Sequence, residues 1–170
     1  MNMVKSDTCI VYYSRSGHSH RLAKNLAKRL HGHLVEIQAP AYQRGIVSYV
    51  RAAMDSLRQR DMASRQGLPS VSGCNRVVLC GPVWTSYPAV PLRTFLRTKF
   101  KAPSTVGLFL TSGAHSPPQK AFQAAESDLG RPISAKACLP NGVEGTAEES
   151  SMVDAFLSDL EGAVRLTSVN

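Results

Sequence analysis

The stretch Cys9-Ile10-Val11-Tyr12-Tyr13-Ser14-Arg15-Ser16-Gly17-His18-Ser19-His20-Arg21-Leu22 decides how the chain is read. Cys9 to Tyr13 is a run of high β propensity. Ser14 to Ser19 is a polar turn containing one glycine. Leu22, Leu26 and Leu30 then recur at i, i+4 and i+8, with Ala23 and Ala27 beside them, which predicts a helix over 17–31. Strand, hydroxyl-rich turn and helix follow one another without a gap. The first amides of a helix lack intrahelical acceptors and carry the positive end of its dipole, so such a turn suits an anion. Ser14, Ser16 and Ser19 add hydroxyl donors, and Gly17 lets the backbone turn tightly.

Other phosphate motifs do not fit. No glycine precedes a Lys-Ser or Lys-Thr pair at Walker spacing, and the dinucleotide fingerprint needs three glycines. Cys9 and Arg15 have the spacing of a cysteine-dependent phosphatase loop, but the intervening Ile-Val-Tyr-Tyr-Ser favours an extended, buried strand. Cys9 is then expected to be a small buried hydrophobe.

Further along, His33 to Ile37 alternates as a short strand. Tyr42 to about Ala63 is predicted as one long helix with Ile46, Val47, Val50, Ala53, Met54 and Leu57 on its sheet-covering stripe. Arg51 and Asp55 stand four apart and are expected to pair. Arg76 to Cys80 is a continuous apolar strand of the kind found inside a parallel sheet. It enters Gly81-Pro82-Val83-Trp84-Thr85-Ser86-Tyr87-Pro88-Ala89-Val90-Pro91, read as a rigid loop that carries the only tryptophan. An aromatic at the C-terminal end of such a strand sits where open α/β sheets bind ligands. Ser104 to Leu110 reads as a fourth strand, followed by Thr111-Ser112-Gly113-Ala114-His115-Ser116. A helix over 119–129 capped by Gly130, a strand over 133–139 and a helix over 148–164 complete the chain.

These loops resemble the flavodoxin family. Ser14-x-Ser16-Gly17-x-Ser19 after an apolar strand is similar to that family's FMN phosphate loop. Gly81-Pro82-Val83-Trp84 and Pro88-Ala89-Val90-Pro91 are similar to the loop after its third strand, with Pro82 one place earlier than in the commonest form. Tyr42-Gln43-Arg44-Gly45 matches a Tyr-x-x-Gly segment of some members. The resemblance implies an α/β three-layer sandwich in a single domain over 1–170, with a five-stranded parallel sheet of order 2-1-3-4-5 and helices on both faces. It also implies FMN as cofactor. The phosphate would be held by Ser14, Arg15, Ser16, Gly17, His18 and Ser19. The ring would be stacked or shielded by Trp84 or Tyr87, and lined by Pro82, Val83, Thr85 and Ser86. Its edge would meet Thr111, Ser112 and Gly113, with His115 in the same loop. No catalytic residue or metal ligand is assigned.

Three roles stay open at this point: electron transfer through bound FMN, an NAD(P)H-dependent quinone or flavin reductase, and a flavin-free phosphate- or partner-binding module. A redox partner protein and a monomeric or homodimeric state belong to the same expectation. The chain has 170 residues and a formal charge of +8. The charge is uneven, with 19 Lys and Arg against 6 Asp and Glu up to Lys136, and 1 against 6 thereafter. Such a basic body suits anionic partners. With few aromatics and no nucleic-acid motif, nucleic acid is not among the expected partners. No apolar run is long enough to span a membrane, and residues 1–7 lack a signal-peptide core, so a cytoplasmic protein is expected. The cysteines Cys9, Cys74, Cys80 and Cys138 form no C-x-x-C pair and are expected to be reduced.

Overall fold

The computed structural model describes residues 7–42, 45–98, 100, 103, 105–113 and 117–167. Five strands form one parallel sheet: β1 (Thr8–Tyr12), β2 (His33–Glu36), β3 (Arg76–Trp84), β5 (Thr105–Ser112) and β6 (Ala135–Pro140), in the spatial order β2-β1-β3-β5-β6. This is the expected 2-1-3-4-5 arrangement. A two-residue strand, β4 (Tyr87–Pro88), is added antiparallel to the end of β3. The helices are α1 (His18–Leu30), α2 (Ile46–Leu57), α3 (Val90–Arg97), α4 (Gln119–Leu129) and α5 (Ala147–Thr167).

Strand alternation divides the core into two layers. Val11, Val77, Leu79 and Leu108 face one side, where they meet Leu92, Phe95 and Leu96 of α3 and Ala121 and Ala125 of α4. Ile10, Tyr12, Val78 and Phe109 face the other, against Leu22 and Leu26 of α1 and Phe156 and Leu160 of α5. The sheet is therefore covered on both faces, as a parallel sheet requires. Gly107 lets α5 approach β5 closely, because a Cβ there would lie 2.8 Å from Phe156 Cζ and 3.0 Å from Leu160 Cδ1.

Several local expectations are corrected. α1 is ended by His31 in the left-handed region (φ 49°). Gly32, next in the chain, has little room for a side chain, since its Cβ would stand 3.2 Å from both Ile10 Cγ1 and the Thr8 carbonyl. The long helix expected over 42–63 shortens to α2, which stops before Gln59 (φ 51°). Four residues of its expected sheet-covering stripe, Val47, Val50, Met54 and Leu57, are exposed instead. The loop expected after Cys80 is not a loop. β3 runs on to Trp84, and Thr85 and Ser86, both at positive φ (49° and 69°), turn the chain back into β4.

The cysteine expectation also changes. Cys9 and Cys74 form a disulfide, with Cα atoms 6.0 Å apart and a sequence separation of 65. The pairing of β1 with β3 sets Cys9 opposite Val77 and so draws the segment before β3 alongside β1. Cys80 and Cys138 are free. Burial pushes the Cys80 thiol well above its ordinary range.

Candidate functional site

β1 ends between two neighbours. The Tyr13 amide donates to the Cys80 carbonyl of β3 at 3.0 Å, and Ile37, just past β2, donates to Tyr12 at 2.8 Å. Beyond this clamp the chain turns through Ser14–Gly17. The Gly17 amide donates to Ser14 Oγ at 3.1 Å, and Gly17 itself has φ 99°, which a side chain disfavours. The first bond of α1 runs from the Arg21 amide to the Gly17 carbonyl at 2.9 Å. The amides ahead of Arg21 therefore have no acceptor within the helix. Ser16 and Gly17 are exposed at this helix start.

The three loops singled out by sequence meet along the C-terminal edge of the sheet. Ser19 Oγ and Thr111 Oγ1 lie 2.7 Å apart and buried, which joins the start of α1 to the end of β5. The Tyr13 ring packs edge-on against Trp84, centroids 5.5 Å apart, which joins the end of β1 to the β3–β4 hairpin. Pro82 stands opposite Thr111 in the β3–β5 register. Tyr42 adds a third ring, 5.9 Å from Trp84. Burial pushes the Tyr13 phenol up to about 12, so it stays an O–H donor, to the Tyr42 carbonyl at 3.0 Å.

Individual side chains differ in how available they are. The Ser19 and Thr111 hydroxyls are committed to each other. Ser112 is buried beside Cys138, while Gly113 is exposed at the strand end. Arg15 Nη2 donates to the Gly45 carbonyl at 3.2 Å. His18 Nδ1 lies 2.7 Å from Glu144, and Arg21 lies 2.6 Å from Glu149 and 3.4 Å from Glu144. Glu144 and Glu149 thus engage His18 and Arg21 in the first turn of α1, so the helix start offers an anion mainly amides and hydroxyls.

In the hairpin, Thr85 Oγ1 is 2.7 Å from Ser56 Oγ, which also donates to the Trp84 carbonyl at 2.8 Å. Tyr87 has Arg93 5.1 Å and Lys120 4.8 Å over its ring, and its hydroxyl accepts from Gln59 at 3.2 Å. Trp84 is only partly buried. Pro82 and Val83, also partly buried, precede it in β3. His115 lies outside the described residues, as do Gln43 and Arg44 of the Tyr-x-x-Gly segment.

Two features were missed by sequence reasoning. A cavity of about 340 Å³ opens beside Ser14 and Arg15 toward β2, lined also by Glu36 and Gln38. Asn141, directly after β6, holds a buried Oδ1 with no hydrogen-bond partner, with its Nδ2 near Gly113. In sequence the Pro140-Asn141-Gly142 triplet signals only a turn.

Comparison with known proteins rests on structure alone, since no protein-family model matches the chain and no curated protein matches it. A flavoprotein of Lactobacillus acidophilus NCFM, solved in complex with FMN, superposes with a TM-score of 0.68 at 21% identity, over 88% of this chain and 97% of that one. The fold is flavodoxin-like. The apo form of the Lactobacillus flavoprotein superposes with a TM-score of 0.59 at 20% identity, covering 85% and 98%. The rubredoxin:oxygen oxidoreductase of Desulfovibrio gigas gives 0.58 at 12% identity, and there the flavodoxin-like chain spans 95% of its own length but 36% of the larger protein. Among the described residues no helix is long and apolar enough to cross a membrane.

Proposed function

We propose that this flavodoxin-like chain binds FMN at the C-terminal edge of its sheet and passes electrons through it. One observation carries the reading: the turn over 14–17, the β3–β4 hairpin and the end of β5 are joined there by the Tyr13–Trp84 and Ser19–Thr111 contacts. That edge lies between β1 and β3, the switch point of a 2-1-3-4-5 sheet, where ligands of such folds are bound. The residues present fit the group. Gly17 at φ 99° shapes the turn, nothing lies within 4 Å of where its Cβ would stand, and the amides ahead of Arg21 are free of the helix. The exposed Ser16 in the same turn would add a hydroxyl for a phosphate, and Arg15, now on the Gly45 carbonyl, would have to turn to reach it. Trp84 is the aromatic for the ring, because Tyr87 already faces two cations. A ligand N–H reaching the far side of the edge would supply the donor that Asn141 Oδ1 lacks.

Bound FMN supplies the redox chemistry, and the protein sets its potential and access. FMN added to the purified chain after flavin stripping tests the reading. Saturable quenching of flavin fluorescence at one FMN per chain, weakened by Trp84→Ala, is expected. A chain that takes up no FMN overturns it.

A further inference from the structure

α2 presents four large apolar side chains, Val47, Val50, Met54 and Leu57, to the outside of the molecule. Among its described side chains Ala52 and Ser56 are buried, while Val47 is 83%, Val50 50%, Met54 43% and Leu57 64% exposed. The outward residues are spaced by three, four and three, the a/d repeat of a helix that pairs with another helix. A contiguous exposed apolar seam of this kind marks an interaction site, unlike scattered single side chains. The seam borders a groove of about 450 Å³ whose rim carries Arg51, Arg58 and Arg60. Asp55 is the acid on this rim, and its carboxylate already receives the Tyr42 hydroxyl at 2.8 Å and Arg51 at 3.7 Å.

We propose that α2 is a docking surface for another protein that presents an amphipathic helix with acidic flanks. Apolar side chains of that helix would fill the seam, and its carboxylates would meet Arg51 and Arg58, which flank the seam at equivalent heptad positions. Charge argues against a second copy as occupant. Two antiparallel α2 helices would set Arg51 and Arg58 of one chain against those of the other, and each chain brings a formal charge of +8. The surface is fixed to the candidate site by Ser56, which holds the Trp84 carbonyl and the Thr85 hydroxyl. Ser56 and the seam lie on opposite faces of α2, so a docked partner is coupled to the β3–β4 hairpin only through the helix. The proposal stands whether or not flavin is bound.

The test uses the full chain and a labelled synthetic three-heptad helix with Leu at a and d and Glu at the flanking positions. Fluorescence anisotropy is expected to show saturable, salt-sensitive binding. It should weaken by about tenfold or more in Met54→Ser/Leu57→Ser and in Arg51→Glu/Arg58→Glu. The second variant should instead bind a Lys-flanked version of the probe. Unchanged circular dichroism keeps loss of fold from imitating loss of docking. No saturable binding, or binding that ignores both variants, overturns the proposal. So does concentration-dependent dimerisation abolished by Met54→Ser/Leu57→Ser, which makes the occupant a second copy. Binding to phosphatidylserine vesicles with none to the helical probe also overturns it.

Discussion

Gly17 and Asp128 show what single residues decide. Gly17 sits at φ 99° where the chain leaves β1 for α1. An alanine there faces open space, yet its backbone would be strained by about 1–2 kcal/mol. Gly17→Ala is expected to weaken FMN binding about tenfold through a turn that opens, with the loss read in a flavin fluorescence titration. Asp128 was invisible as anything but a polar helix residue. It accepts from Arg93 Nε at 2.5 Å and Nη2 at 3.0 Å and from Arg97 Nε at 2.8 Å, and Arg93 is almost fully buried. Removing one partner of a buried pair strands the other charge. Asp128→Ala should therefore cost about 3–5 kcal/mol in urea unfolding. The two positions differ in legibility for a physical reason. Gly17 advertises a backbone need within six residues, whereas Asp128 acquires its role from a side chain 35 positions away.

At the scale of elements, the strands and the starts of α1, α4 and α5 were readable, and helix orientation was not. The strands carry their signal in local β propensity, and five of them fell near their expected places. The hairpin at Thr85 and Ser86 was hidden because neither residue is a glycine, the usual mark of positive φ. For α2, periodicity located an apolar face but could not say whether it faced the sheet or a partner. The contact between α1 and α5 was equally silent, and it carries a pH dependence. Burial alone would raise Glu149, but the Arg21 guanidinium and the Gly145 amide outweigh it and hold the carboxyl below its ordinary value of 4.5. Glu126 is lowered in the same way: burial opposes, and the Ile133 amide and Lys136 prevail. In this range the unfolded chain binds more protons than the folded one, so stability rises with pH. The contribution is complete above the ordinary carboxylate value and is lost as pH falls through the lowered folded values. Glu149→Gln should flatten the acid limb of a pH–stability curve measured by thermal unfolding.

For the whole molecule, charge is the property that matters most at a flavin site. The chain carries +8, concentrated before Lys136. Positive potential favours a bound group that becomes more negative on reduction. The FMN complex is therefore expected to show a less negative two-electron midpoint potential than acidic carriers of the same fold. Lys- or Arg-to-Glu substitutions near the hairpin should move it downward, as a spectroelectrochemical titration would read. The same surplus makes association with acidic proteins faster at low salt than at high salt.

The β-α alternation, the parallel class of the sheet and the three loops at one edge were determined by the chain's own pattern. Strand period, turn chemistry and glycine placement act over a few residues and can be read there. Tertiary structure decided which side chains remain available. Ser19 is spent on Thr111, 92 positions away, and Cys9 is bonded to Cys74 across 65. Tyr87 is covered by cations from α3 and α4, and α2 turns Val47, Val50, Met54 and Leu57 outward. These outcomes depend on sheet register and helix rotation. Both are set by the packing of the whole core, to which each residue contributes too little to reveal the result in advance.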